Sequence, residues 1–388
     1  MDIPNVPKEN WFSNEEYQRR LSAVRREMSK RDLGGLVLFS PANIFYLTGH
    51  HSIDSWEFRA VLITPDRDPL LLLYSFERGR FLASSWLSEA RFHLPGADPV
   101  LSLIQLIADV GLSSGGVGIE LNTPFLNETS IQLWTENLPA VHRVAADGLI
   151  EHIRLCKSPE ELKCIRRAAE FTRVGMQAAV RTIREGVMDH EIAAAAAHAM
   201  LMAGSDLFVM MPTVAVGYRS GLSHSEHGHV EVNREDPVFI ELSGCWHHYC
   251  APLMLTTTLG TPSAEWKELL DVSHRTADVI LSVARPGVPA SDVARAAWEA
   301  MRRIEDRIQF HYNFGYSLGI SFPPHWLEDS HFHIKTSNPE ILEAGMVFHS
   351  PLTMRLLGRC AAGTSRTFEI TNQGSQVLTG GGERDAFL

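Results

Sequence analysis

Two stretches of this chain repeat one another. "GVMDHEIAAAAAHAM" (186–200) and "GVPASDVARAAWEAM" (287–301) each open on Gly-Val. Each then passes an acid followed by a β-branched residue and runs through alanine-rich sequence to Ala-Met. Small side chains let a helix lie close to a sheet, and a pattern that recurs at matched offsets reads as one supersecondary unit used twice. Strand-like segments follow each helix: 207–217 and 236–260 after the first, 345–352 and 364–371 after the second. Two such halves are expected to close around a cleft between their sheets.

The first part of the chain reads differently. Residues 13–33 are polar with helical spacing of Tyr17, Leu21, Val24 and Met28. "GLVLFS" (35–40), "AVLITP" (60–65), "PLLLLY" (69–74) and "GVGIEL" (116–121) are short apolar runs of buried-strand type. Helical stretches at 100–110 and 125–138 lie among them, so this part is expected to be an α/β domain. The joint falls in "EHIRLCKSPE" (151–160). There Ser158 can cap a helix, Pro159 suits its first position, and Glu160 and Glu161 favour its positive end. Two domains, 1–152 and 153–388, follow from this reading.

Composition narrows the partners. Of 388 residues, 35 are Lys or Arg and 46 Asp or Glu, a net charge of −11. That balance argues against nucleic acid and anionic membrane surfaces as partners and mainly predicts solubility. No apolar run approaches the roughly 20 residues that span a bilayer. "MDIPNVPKENW" has neither a basic nor an apolar leader region, so a cytoplasmic protein is expected. Five cysteines without a dense framework read as reduced thiols.

"VFIELSGCWHHYCAPLML" (238–255) is an apolar run that carries Glu241, His247, His248 and Pro252. Carboxylates are rarely buried without a reason, so Glu241 is a functional candidate. The two histidines follow Gly244 and are expected at a hairpin turn, in a structural or exposed role. Cys245 and Cys250 flank that turn without a zinc-site spacing.

Taken together, the α/β first domain, the Lys-Ser-Pro-Glu-Glu joint and the duplicated second domain resemble the creatinase/aminopeptidase P/prolidase superfamily. "NIFYLTG" (43–49), "FGYSLGISFPP" (314–324), "LEAGMVF" (342–348) and "GSQVLT" (374–379) add to the likeness. The resemblance implies an α+β protein: a pita-bread C-terminal domain with duplicated α/β halves, preceded by a smaller creatinase-type domain. Metal-dependent members hold two divalent ions with two Asp, one His and two Glu. The matching positions here are Glu241, Pro252, Tyr316, Pro351 and a residue at or near Ser365. Hard divalent ions need several oxygen or imidazole ligands, and proline supplies none from its side chain. No metal and no other cofactor is therefore expected.

"FIELSGCWHHYCAPL" and "GYSLGISFPPHW" are similar to paired motifs of the metal-free ectoine hydrolases. That similarity implies a hydrolase of a non-peptide C–N bond in a small polar nitrogen compound. The alternatives are a diverged lyase, cyclase or isomerase, a peptidase-like protein without its metal, or a binding protein on the same fold. Carried over position by position, the catalytic set is Glu241 as base or nucleophile, His224 in "SGLSHSEHGH" as proton shuttle, and Tyr316 as donor. The substrate-binding set is His325, Trp326, His349 and Arg366, the last read as a partner for an anionic group. The resemblance also implies a homodimer in which "HHSIDSWEFRA" (50–60), with Trp56, Phe58 and Arg59, reaches the partner's active site.

Overall fold

The computed structural model describes residues 6–54, 56–328 and 332–380. The chain divides into two compact units, Met1–Ile153 and Arg154–Leu388.

In the first unit, strands β1 (Leu33–Leu38), β2 (Arg59–Ile63), β3 (Leu70–Tyr74), β4 (Ala90–His93), β5 (Gly115–Ile119) and β6 (Val141–Ala145) form one sheet. Its order is β4-β3-β2-β1-β5-β6. Pairing is parallel at β3–β4, β1–β5 and β5–β6, and antiparallel at β1–β2 and β2–β3. Helices α1 (Asn14–Lys30), α2 (Pro41–Thr48), α3 (Arg78–Ser84), α4 (Pro99–Asp109), α5 (Glu128–Asn137) and α6 (Leu149–Arg154) complete the run. The apolar runs read from sequence are the central strands. The two missed strands, β4 and β6, are edges. An edge strand has one neighbour and keeps polar residues, so "ARFH" and "VHRVA" give no continuous apolar signal.

The second unit opens with α7 (Pro159–Thr182). Ser158 Oγ accepts the Glu161 amide while the Glu161 carboxylate accepts the Ser158 amide, a reciprocal cap. α8 (Asp189–Met202), β7 (Thr213–Val216), β8 (Val238–Leu242), the short hairpin β9 (Cys245–Trp246) and β10 (Tyr249–Cys250), and β11 (Leu253–Thr257) complete the first half. The second half holds α9 (Ala264–Val283), α10 (Ala290–Met301), β12 (Tyr316–Ser317), β13 (Val347–Leu356), β14 (Cys360–Thr371) and β15 (Gly374–Thr379).

The repeat is real at the level of hydrogen bonds. Gly186 N–H donates to Val232 O and Gly287 N–H to Leu342 O, both at 2.9 Å. Val232 N–H returns to Val187 O and Leu342 N–H to Val288 O. Both glycines are left-handed, with φ of 85° and 87°, a conformation that favours glycine.

One expectation changes. The halves do not carry separate sheets. Their strands join in one sheet, β12-β13-β14-β11-β8-β7, because β11 of the first half pairs with β14 of the second. Helices cover one face. Val238, Ile240, Leu242 and Leu253 pack with residues of α7 and α8, and Phe348, Leu352, Phe368 and Ile370 with residues of α9 and α10. The opposite face is the cleft. The sheet curls around it: the Arg355 guanidinium on β13 lies 5.2 Å from the Phe239 ring on β8, although β14 and β11 run between those strands.

Candidate active site

Strand alternation decides what the cleft receives. On β8, Ile240 and Leu242 go to the helix layer, so Glu241 and Phe239 face the cleft. On β11, Leu253 packs with the helices and Met254 packs with Phe239. Cross-strand register then lines up one row. Thr213 pairs with Glu241, Glu241 with Met254, and Ser365 with Pro351, while Met254 N–H donates to Ser365 Oγ at 2.7 Å. A second row holds Tyr316 opposite His349 and His349 opposite Thr367.

Glu241 keeps a partly open carboxyl inside a protein-walled recess and makes no side-chain hydrogen bond among the described residues. Loss of water pushes its pKa up to about 7, and the positive charge of Arg355 opposes part of that rise. Tyr316 is buried, and its ring lies 5.4 Å from that of His349. Trp326 Nε1–H donates to the Tyr316 hydroxyl oxygen at 2.9 Å, which leaves the phenol's own proton to be donated onward. Burial raises the Tyr316 pKa, and Glu241 is among the charges that raise it further, so the two groups share one neighbourhood.

His349 is fully buried. Its Nδ1 lies 3.0 Å from Thr367 Oγ1, whose own proton goes to Pro252 O at 2.8 Å. Thr367 is therefore an acceptor for Nδ1–H, and Nε2 is left as a bare acceptor without a partner among the described residues. Burial, with the charge of His311, lowers the His349 pKa to about 3, so the ring is neutral. Pro252 has a second function here: its carbonyl also accepts from Thr379 Oγ1 at 2.8 Å. Pro252 thus anchors two threonine hydroxyls with its backbone.

The chain matches the profile of metallopeptidase family M24 over residues 163–372 and that of the creatinase/prolidase N-terminal domain over 20–156. It belongs to family M24. An ectoine hydrolase of Halomonas elongata is 27% identical over 367 residues, 87% of this chain and 89% of that one. A hydrolase/peptidase of Sinorhizobium fredii, y4tM, is 27% identical over 385 residues, 95% of this chain and 96% of that one. The crystal structure of a prolidase from Pyrococcus horikoshii superposes with a TM-score of 0.78 at 21% identity, covering 93% of this chain and 98% of that one. This last likeness speaks for the fold alone.

The residues that the resemblance sets at the metal-ligand positions lie on the cleft-side strands of this M24 chain. They supply one carboxylate (Glu241), one phenol (Tyr316), one alcohol (Ser365) and two prolines (Pro252 and Pro351). That donor set does not fit a pair of divalent cations. Among the described residues no group of three or more His, Cys, Asp or Glu is arranged to hold a metal ion.

The other candidates separate. Trp326 joins the site through Tyr316. His224 is exposed in a turn with φ of 55°, and His311 is the group that feels its charge. His325 is exposed after Pro324. Arg366 needs a correction: it alternates with Thr367 and so faces the helix layer. There its guanidinium donates to Thr364 Oγ1 at 2.6 Å and Ser365 O at 2.8 Å and approaches His274 of α9 at 3.4 Å. In the first unit, Phe58 is packed against Phe39 and Phe125 within the core. Arg59 is buried and donates to the Asp54 and Glu57 carbonyls. Both side chains are thus taken up inside their own unit, while Trp56 is 75% exposed.

His247 and His248 form the hairpin turn, both left-handed at φ of 52° and 65°, the two-residue turn that matches strand twist. His247 stacks on Trp246 and His248 on Phe322.

Sequence reading missed Arg355, His311 and Thr367. Alternation from His349 through Pro351 and Thr353 puts Arg355 on the cleft face, a signal that was present. His311 stands in a loop with no periodicity to mark it. Its ring is open to solvent but lies in a recess; burial, then Arg355 and Lys335, lowers its pKa.

Proposed function

We propose that this chain is a metal-independent hydrolase of a non-peptide C–N bond in a small polar nitrogen compound, such as a cyclic amidine, a guanidino compound or an amide. Glu241 carries the reading: a carboxylate, poised near neutrality, shares the cleft with a phenol whose proton is free to donate. The likeness to an ectoine hydrolase supports it.

A carboxyl with pKa about 7 is present in both forms at pH 7, the condition under which one group can take and return a proton. Ionised Glu241 takes a proton from water as that water attacks the carbon of the C–N bond; in the covalent variant Glu241 attacks the carbon, Tyr316 protonates the leaving nitrogen, and water then cleaves the glutamyl ester, its hydroxyl going to carbon and its proton back to Tyr316. Tyr316 donates to the charge that develops. The bond breaks with its electron pair on nitrogen, which receives the proton. Water's hydroxyl ends on carbon.

A second reading, a lyase, cyclase or isomerase on the same fold, draws on Pro252 and Pro351, which take carboxylates out of the cleft. One experiment separates the two. Purified protein is incubated with cyclic amidines, guanidino acids, N-acyl amides and Xaa-Pro dipeptides in ¹⁸O-labelled water, with and without a chelator. The expected result is one ¹⁸O in the product of a non-peptide substrate, with kcat lowered roughly 10²–10⁴-fold by Glu241→Gln. Product without label favours the second reading. Turnover confined to Xaa-Pro dipeptides and lost on chelation overturns both.

A further inference from the structure

Arg355 has no assigned role, and its setting is unusual. Its side chain is half-buried on the cleft face, and its Nε is fully buried without a hydrogen-bond partner among the described residues. Glu241 is the acid whose charge it feels, yet the two form no ion pair among the described residues. A guanidinium withdrawn from water without a contacting anion is costly, and an arriving anion removes that cost. The Phe239 ring lies 5.2 Å from the guanidinium, so an aromatic surface supports the group while its donors stay available. The surroundings favour a negative guest. His311 is the next titratable group, and the charges that act on it come from Arg355, Lys335 and His224. Against these stands Glu241, whose negative charge acts on Arg355.

We propose that Arg355 forms an anion subsite for a carboxylate carried by the substrate, with His311 beside it. The ligand lies in the cleft, its carboxylate on the guanidinium and its nitrogen-bearing end toward Glu241 and Tyr316. This role belongs to Arg355 rather than to Arg366, whose donors are occupied in the helix layer. The part that concerns the reacting end rests on the C–N hydrolase reading; the anion subsite itself stands on the cleft geometry.

The test uses binding, so it needs no turnover. N-acetylglycine and its neutral amide, N-acetylglycinamide, are titrated into the full chain by calorimetry. The acid is expected to bind at least about tenfold more tightly than the amide, the usual scale of a charge-assisted hydrogen bond. Arg355→Met removes that preference. Arg355→Lys keeps part of it, because an ammonium holds the charge and loses the planar fork. Glu241→Gln keeps the preference. Circular dichroism establishes that each variant is folded. Equal binding of acid and amide by the wild type, or a preference that survives in folded Arg355→Met, overturns the subsite. Loss of the C–N hydrolase reading looks different: the preference persists and depends on Arg355, while no C–N product forms with any compound.

Discussion

At the residue scale the cleft is a set of groups held away from their ordinary protonation states, and pH separates them. His349 has a folded pKa of about 3 against 6.5 when exposed. The unfolded chain therefore takes up a proton there first, and the stability that a neutral His349 contributes, present above pH 6.5, is lost as pH falls toward 3. His349→Gln should flatten the acid limb of the unfolding free energy by up to about 1.4 kcal/mol per pH unit between those values, measured by urea titration at stepped pH. An unchanged slope would show that His349 is not buried neutral. Glu241 works with the opposite sign. Its folded pKa is raised from 4.5 to about 7, so the folded state holds the proton longer and stability falls as pH climbs through that window. Glu241→Gln should melt higher than wild type at pH 8, with the gain fading below pH 4.5 in scanning calorimetry. A lower melting temperature at pH 8 would mean that attraction to Arg355 outweighs desolvation.

At the element scale, the cleft strands are placed by close contacts with α7. Gly244 N–H donates to Thr172 Oγ1 at 2.8 Å, and that hydroxyl also donates to Ala251 O at 2.7 Å. A Cβ on Gly244 would stand 2.6 Å from Ala168 O and 2.9 Å from Thr172 N, both backbone atoms of a helix that cannot step aside. Gly175 is also tight, but its neighbour is the Met200 side chain, at 2.6 Å from Cγ. A methionine re-rotates, and alanine gains about 0.8–1 kcal/mol in helix propensity. Gly244→Ala should cost about 1–3 kcal/mol or more and Gly175→Ala distinctly less, read from denaturant midpoints. Equal costs would show that the hairpin is not seated on α7 in this way. The repeated Gly-Val entries were legible because a positive φ selects glycine. The pairing of β11 with β14 was not, since strand sequences carry the face each side chain takes but not which strand lies alongside.

At the scale of the whole molecule the outcome concerns metal. Elemental analysis of protein purified from medium supplemented with Mn, Co, Zn and Fe should find less than one ion per chain, and chelator should leave the melting temperature unchanged. Two ions per chain would sink the metal-free reading. The sequence by itself determined the family likeness, the two-part organisation, the duplicated helices, and the two prolines, Pro252 and Pro351, in the cleft strands. Each of these is a local property: a period, a cap, or a residue type that has no ligand atom to offer. Tertiary structure decided the rest. It turned Arg366 into the helix layer and Arg355 into the cleft, buried Phe58 and Arg59 within the first unit, and joined His349 to the Pro252 carbonyl through Thr367. The physical reason is that strand alternation gives two faces, while only the packed helices and the curl of the sheet decide which face is core and which is cleft.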